Sequence, residues 1–239
     1  MVERIGERVK RFWKEAAASP EEGGWGVALD GKLLRTPARK PLVLPTRALA
    51  EAIAAEWHSA GETVQPRTMP LTGLANAAID HVEPNREQFA RQLARYGESD
   101  LLCYRADSPP SLAERQQQSW DALLAWARRR FDVDFRTTCG IAHVQQPNAT
   151  VQRLGHAFAT LDAFRLAALS PVVTIGGSLV AALALLEGAI GAEAAWDAVT
   201  IDDRWQIETW GADPEAEAAL DERRRDFFAA ARFLELLEV

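Results

Sequence analysis

Three carboxylates close together near the C-terminal end of the chain have the residue types best suited to chemistry. They are Asp202, Asp203 and Glu208, in the run DDRWQIE. Clustered carboxylates can act as general acid and base, hold a divalent cation, or bind cationic side chains of another protein. On a helix, the six residues from Asp202 to Glu208 turn through about 600°, which predicts different faces for the two side chains. The spacing therefore disfavours a shared metal or an acid–base pair.

The tryptophans around these carboxylates predict which side of the helix is buried. We expect Trp205 and Trp210 to face inward with Val199 and interpret both tryptophans as structural residues. Asp202 and Asp203 would then lie on the exposed face. Two interpretations of that face stay open at this point: a docking site for a cationic partner, and a plain solvated surface.

Other residue types that support catalysis form no recognisable motif. The histidines lack HExxH or HxH spacing, and the two cysteines have no CxxC partner. These residues are His58, His81, His143, His156, Cys103 and Cys139. We therefore predict no catalytic residue, no metal ion and no cofactor. A hydrolase or transferase that uses Asp202, Asp203 or Glu208, with partners from distant parts of the chain, stays as the alternative.

Charge is unevenly distributed along the chain. From Glu187 to Val239 there are 14 Asp or Glu residues and five Arg, a net charge of −9. The whole chain carries −7, so residues 1–186 carry +2. An acidic C-terminal region repels phosphate and disfavours nucleic acid as a partner. The acidic region favours a partner protein with a basic surface, or is simply a well-solvated helical tail. The same charge predicts that the chain is a monomer.

The apolar segments indicate a protein that is not inserted in a membrane. The longest, Pro171–Leu186, is shorter than the roughly 20 residues that a membrane-spanning helix requires, so we interpret it as a buried helix. The first 18 residues mix charged and apolar side chains and do not resemble a secretory signal. These features predict an intracellular, cytoplasmic location.

The N-terminal third predicts a small sheet. Residues 25–29 and 32–36 flank Asp30-Gly31, a favoured two-residue turn, and so predict a hairpin; residues 41–44 fit a third strand. Before them, apolar spacing from Ile5 and Val9 to Trp13 predicts a helix that ends at Ser19-Pro20.

The remainder of the chain is mainly helical in pattern. Helices are predicted to start at Pro109-Pro110 and to span residues 150–168, 171–187, 191–211 and 214–237. The fold class is therefore α+β. We predict two domains: residues 1–82, mixed α/β with short antiparallel strands, and residues 83–239, mainly α-helical and client-binding.

Three separated passages carry a resemblance to a known family. The first comprises LDGKLLRTP (29–37), PLVLPT (41–46) and EW (56–57), and the second MPLT (69–72), LAN (74–76) and AID (78–80). The third comprises AW (195–196) and DDRWQIETWG (202–211). In this order they resemble the assembly chaperones specific for the alpha subunit of the catalytic head of F-type ATP synthase.

The resemblance implies a non-enzymatic chaperone with a mixed N-terminal and a helical C-terminal domain. Such a protein would bind the free alpha subunit and shield its beta-contacting surface until assembly. The matching acidic position is Asp202, with an implied ion pair to a client Arg or Lys; the adjacent Asp203 leaves open which carboxylate makes it. The family position at Trp57 is interpreted as structural, because Trp57 lies on the apolar side of its helix with Ile53.

The location would be the bacterial cytoplasm, or the mitochondrial matrix for organelle relatives. A general scaffold without a dedicated client is a further alternative.

Overall fold

A small antiparallel sheet opens the part of the chain described by the computed structural model, residues 10–211 and 213–238. Strand β1 (Ala16–Glu21) pairs with β2 (Gly24–Leu29), which pairs with β3 (Lys32–Leu33). Asp30 and Gly31 have φ values of 46° and 81°, the positive values that a type I′ turn requires. The predicted hairpin is therefore confirmed.

The two segments that flank this hairpin differ from their predictions. The predicted third strand at 41–44 contributes only isolated bridges, Trp25 to Leu44 and Arg35 to Pro41. The helix predicted to end at Ser19-Pro20 is wrong from residue 10 onward, since those residues lead into β1; Ile5 and Val9 lie outside the described residues. The Asp30 carboxylate accepts the Lys14 N–H at 3.1 Å and the Glu15 N–H at 2.9 Å, and β1 forms a full ladder with β2. Long-range pairing overrides local helical spacing here.

Ten α-helices follow within the described residues. They are α1 (Arg47–Ser59), α2 (Pro70–Ala77), α3 (Arg86–Ala94), α4 (Pro110–Phe131), α5 (Asn148–Ala159), α6 (Ala163–Gly176), α7 (Leu179–Leu186), α8 (Ala192–Val199), α9 (Ile201–Trp210) and α10 (Pro214–Leu237). Two short parallel strands, β4 (Tyr104–Arg105) and β5 (Thr138–Cys139), pair beside the start of α4. The α+β class is confirmed, and so are the predicted starts of α4 and α10.

Three predicted helices are each divided by a break. The predicted helix 150–168 is divided between α5 and α6, where the Asp162 carboxylate caps α6 by accepting the Arg165 N–H at 2.9 Å. The predicted start at Pro171 is wrong, because Pro171 lies inside α6. The break comes at Gly177, whose φ of 62° ends α6, and at Ser178, whose hydroxyl caps α7 by accepting the Ala181 N–H. The predicted helix 191–211 is broken at the buried Thr200, whose hydroxyl donates to the Trp196 carbonyl at 2.7 Å.

One large cluster of buried residues extends from the sheet to the last helix. It includes Val27 and Leu44 beside the sheet, all of the first six residues of α7, and Phe227 and Phe233 of α10. A smaller cluster of Trp13, Leu29 and Ala60 lies beneath the N-terminal sheet. None of the helices in the described part of the chain is long and apolar enough to cross a bilayer. The predicted division between residues 82 and 83 falls between a π-helical turn (Ala78–Val82) and a 3₁₀ turn (Glu83–Asn85), and it stays a prediction.

Candidate functional site

The acidic helix α9 packs against α4 through two of its carboxylates. Asp202 Oδ1 accepts a hydrogen bond from Gln116 Nε2 at 2.7 Å, and Glu208 Oε2 accepts one from Arg115 Nη1 at 2.7 Å. The two donors are adjacent on α4, whereas the two acceptors lie about 9 Å apart along the α9 axis. Asp202 and Glu208 thus reach α4 from positions about 120° apart around α9 and share no partner. Positions 202, 205 and 208 span only about 120°, and Trp205 lies between the two acids.

Trp205 is half-buried at this crossing. The Arg115 guanidinium lies 4.8 Å from the centre of its ring, a cation–π distance. Arg115 thus contacts both Trp205 and Glu208 and holds the middle and the end of α9 against α4.

Asp202 is oriented by a neutral donor. Gln116 is only 2% exposed, and its Oε1 accepts the Ala106 N–H at 2.7 Å, which fixes its amide so that Nε2 points to Asp202. Within residues 10–211 and 213–238, no Lys or Arg nitrogen lies within 4.0 Å of the Asp202 carboxylate. The half-buried Asp202 carboxylate is therefore held in a fixed position and forms no ion pair with a Lys or Arg of the described residues.

The other two carboxylates are already paired with cations of the same chain. Arg223 Nη2 of α10 donates to Asp203 Oδ1 at 2.7 Å, and Arg115 pairs with Glu208. Both pairs are partly exposed, where an ion pair contributes about 0–1 kcal/mol and exchanges readily with solvent or other charges. Their main electrostatic effect is to neutralise Asp203 and Glu208, and this distinguishes them from Asp202.

Trp210 is exposed, so the prediction that it faces inward is wrong. It is the last residue of α9, 76% of it is accessible, and Gly211 with a φ of 87° follows it. The five residues from Trp205 turn the helix through about 500°, which places Trp210 about 140° away from the side that packs on α4. Helical rotation alone could have separated the two tryptophans.

Trp57 lies half-buried where α1 meets the N-terminal sheet. Its ring centre is 5.1 Å from that of Trp13, whose Nε1 donates to the Trp57 carbonyl at 3.1 Å. The neighbouring Glu56 accepts the Leu71 and Thr72 N–H groups at 2.8 Å each and so caps α2. The EW pair of the first passage therefore joins α1 to two other elements.

The residue types that could support catalysis are dispersed. In the part of the chain that the structure describes, no three His, Cys, Asp or Glu side chains are grouped so as to hold a metal ion. Burial, together with the nearby Asp100 charge, raises the pKa of the Cys103 thiol to about 12, so this cysteine is a protonated core residue. The three carboxylates of α9 each have a separate partner, Gln116 and Arg115 on α4 and Arg223 on α10, and they do not form an acid–base pair.

Comparison with known proteins identifies the family. Residues 10–128 match the ATP12 chaperone protein family. The chain is similar to Protein atp12, mitochondrial, of Schizosaccharomyces pombe, with 27% identity over 94% of this chain and 81% of that protein. It is also similar to the crystal structure of Atp12 from Paracoccus denitrificans, with 43% identity, a TM-score of 0.91, and coverage of 95% of this chain and 98% of that one. A mutant of P. denitrificans Atp12p gives 42% identity and the same TM-score over 95% of this chain and 97% of that one.

These similarities extend over almost the whole chain and agree in sequence and in fold. They exclude the alternative function as a hydrolase or transferase, because the matching family consists of chaperones and not of enzymes. The resemblance seen in the three sequence passages is confirmed, and this chain belongs to the ATP12 family of ATP synthase assembly chaperones.

Proposed function

We propose that this chaperone binds the free alpha subunit of F-type ATP synthase and shields its beta-contacting surface until assembly. Family membership supports the assembly role, and the resemblance of the three passages supports the choice of client. A subunit made without its partner exposes a large, partly apolar interface that is prone to aggregate. The client-binding part would be residues 83–239, acting as a monomer in the bacterial cytoplasm or, in organelle relatives, the mitochondrial matrix.

The carboxylate of Asp202 is the observation that carries this proposal. It is half-buried, oriented by the buried Gln116, and not neutralised by any described cation of its own chain. A client Arg or Lys that reaches it forms a charge-assisted hydrogen bond without breaking an existing ion pair. Because Gln116 fixes the acceptor before binding, little side-chain entropy is lost on association.

Asp203 and Glu208 have a secondary role in this proposal. Each must share or exchange its arginine when a client cation approaches, so each adds less binding free energy than Asp202. Together with the net charge of −9 from Glu187 onward, they provide long-range attraction for a basic client surface. Such attraction speeds encounter and still permits release, as hand-over to the beta subunit requires. At micromolar affinity the total binding free energy is about 8 kcal/mol.

The test is the affinity of purified variants for separately expressed alpha subunit. Losing one partner of a desolvated charge pair costs about 2–5 kcal/mol, so Asp202→Asn should weaken binding at least about 30-fold. Asp202→Lys should abolish capture while thermal unfolding stays close to wild type. The matched controls are Glu22→Gln and Glu22→Lys, at an exposed position in the β1–β2 turn. Normal capture by Asp202→Lys would refute the assigned site.

Client choice is tested in the same assay. The proposal expects retention of alpha and not of beta, and release of alpha when beta is added. Equal binding of unrelated unfolded chains would instead identify a general scaffold.

A further inference from the structure

Four large apolar side chains are exposed among the described residues, and they fall into two groups. Phe12 and Leu33, 70% and 47% exposed, belong to the N-terminal sheet region. Ile141 and Trp210, 102% and 76% exposed, belong to elements linked to Asp202. The second group is the more exposed of the two, and its two residues are connected through the chain or through hydrogen bonds to Asp202.

Trp210 lies on the same helix as Asp202. The eight residues between them correspond to about 12 Å along the α9 axis and about 80° of rotation. A flat partner surface can therefore contact both. Gln206 and Thr209, which lie near the same side of α9, are also exposed, so this side of the helix is open.

Ile141 lies in a loop whose two ends are held together. The loop base is fixed by the buried Gln146, whose side chain accepts the Arg136 N–H at 3.0 Å and donates to the Arg136 carbonyl at 2.8 Å. Compact loops with closed ends are frequently functional. Residues 137–145 contain no Asp, Glu, Lys or Arg, although 26% of the residues of the whole chain are charged, and Ile141 is the large apolar side chain that this segment exposes.

Contacts connect this loop to the acidic helix. Gly140, next to Ile141, donates its N–H to the Arg105 carbonyl at 2.8 Å. The following residue, Ala106, donates to Gln116, which in turn donates to Asp202. One backbone step and one buried glutamine thus separate the loop from the carboxylate. A standard interface covers about 800 Å² and 20–30 residues on each partner, so one client surface can include both.

We propose that Ile141 and Trp210 are apolar anchors in the same client-binding surface as Asp202. This inference rests on the proposed function, and it specifies the client: a surface of the alpha subunit with an Arg or Lys near two apolar depressions. Trp is among the residues that most often dominate binding energy in interfaces, particularly when surrounding contacts exclude water. Apolar contacts near Asp202 would shield its ion pair from water and strengthen it.

The experiment measures the affinity of alpha subunit for five single variants of the full chain. Trp210→Ala should weaken binding about 30-fold or more, and Ile141→Ser about tenfold. Phe12→Ala and Leu33→Ser remove exposed apolar side chains of the N-terminal group and should change affinity less than twofold. Trp210→Phe should retain most of the affinity, which separates loss of the anchor from fraying of the end of α9.

Salt dependence separates the two kinds of contact. Asp202→Asn should flatten the decrease of affinity with ionic strength, whereas Trp210→Ala should lower affinity at every salt concentration and leave the slope unchanged.

Two results would overturn the inference and leave the role of Asp202 intact. One is unchanged affinity in Trp210→Ala and Ile141→Ser while Asp202→Asn binds weakly. The other is a wild-type dimer, seen by light scattering, that Trp210→Ala dissociates, because the surface would then be covered by a second copy. Failure of the wild-type chain to bind alpha at all would instead refute the proposed function, and this inference with it.

Discussion

The buried carboxylate of Asp100 should make the stability of this protein depend on pH. Asp100 is fully inaccessible and follows the end of the 3₁₀ turn after α3. It accepts the Leu102 N–H at 3.0 Å and the Val180 N–H at 2.9 Å, and so joins this region to the start of α7. Burial outweighs these hydrogen bonds and those from Ser178 and Leu179, and raises the pKa of Asp100 from 3.8 to about 6.

The contribution of Asp100 to the free energy of unfolding should decrease as the pH rises. The folded-state pKa is higher than the unfolded one, so the folded protein binds this proton more tightly. The resulting stabilisation is complete below about pH 3.8 and is lost as the pH rises through about 6. A difference of about two pKa units corresponds to about 3 kcal/mol in the free energy of unfolding.

The perturbation is Asp100→Asn, which removes the titration and retains the shape. The amide loses one acceptor for the buried N–H groups, which costs about 1–3 kcal/mol, but it avoids the buried charge at neutral pH. Urea unfolding, monitored by tryptophan fluorescence from pH 4 to pH 8, measures the free energy of unfolding of the wild type and of Asp100→Asn. We expect the free energy of unfolding of Asp100→Asn, relative to wild type, to rise by about 3 kcal/mol between pH 4 and pH 7. Parallel curves for the two proteins would refute the reasoning.

Two further predictions concern the N-terminal region. Although burial raises it, hydrogen bonds from the Thr36 hydroxyl and the Ala38 N–H hold the pKa of Asp80 below its usual value, so Asp80→Asn should show the opposite trend. That variant should be destabilised at neutral pH, with a deficit that shrinks as the pH falls below about 4 in the same urea assay. Trp57→Ala should lower the free energy of unfolding by about 3 kcal/mol without changing the client affinity of the folded protein. Trp57→Phe should cost much less, since Trp57 Nε1 is buried without a hydrogen-bond partner among the described residues; equal losses would contradict a packing role.

The sequence correctly predicted elements that begin or end at a turn or a helix cap formed by neighbouring residues. Asp30-Gly31 permits the positive φ values of its turn, and Asp213 caps α10 by accepting the Glu215 N–H. Local spacing failed where distant pairing competes. The chain before Ser19-Pro20 joined the sheet because Asp30 and β2 satisfy its N–H groups, and Pro171 stayed within the buried α6.

In the candidate site, too, the sequence determined some features and long-range packing determined others. The sequence alone determined that an acidic C-terminal region carries Asp202, Asp203 and Glu208, and its three passages indicated the family. Only the tertiary structure decided which of these acids is paired with an arginine of the same chain. Their partners Gln116, Arg223 and Arg115 lie 86, 20 and 93 residues away in the chain, so no local pattern contains them. Whether a carboxylate is neutralised depends on which donor the fold brings within about 3 Å, and that is a property of packing between helices.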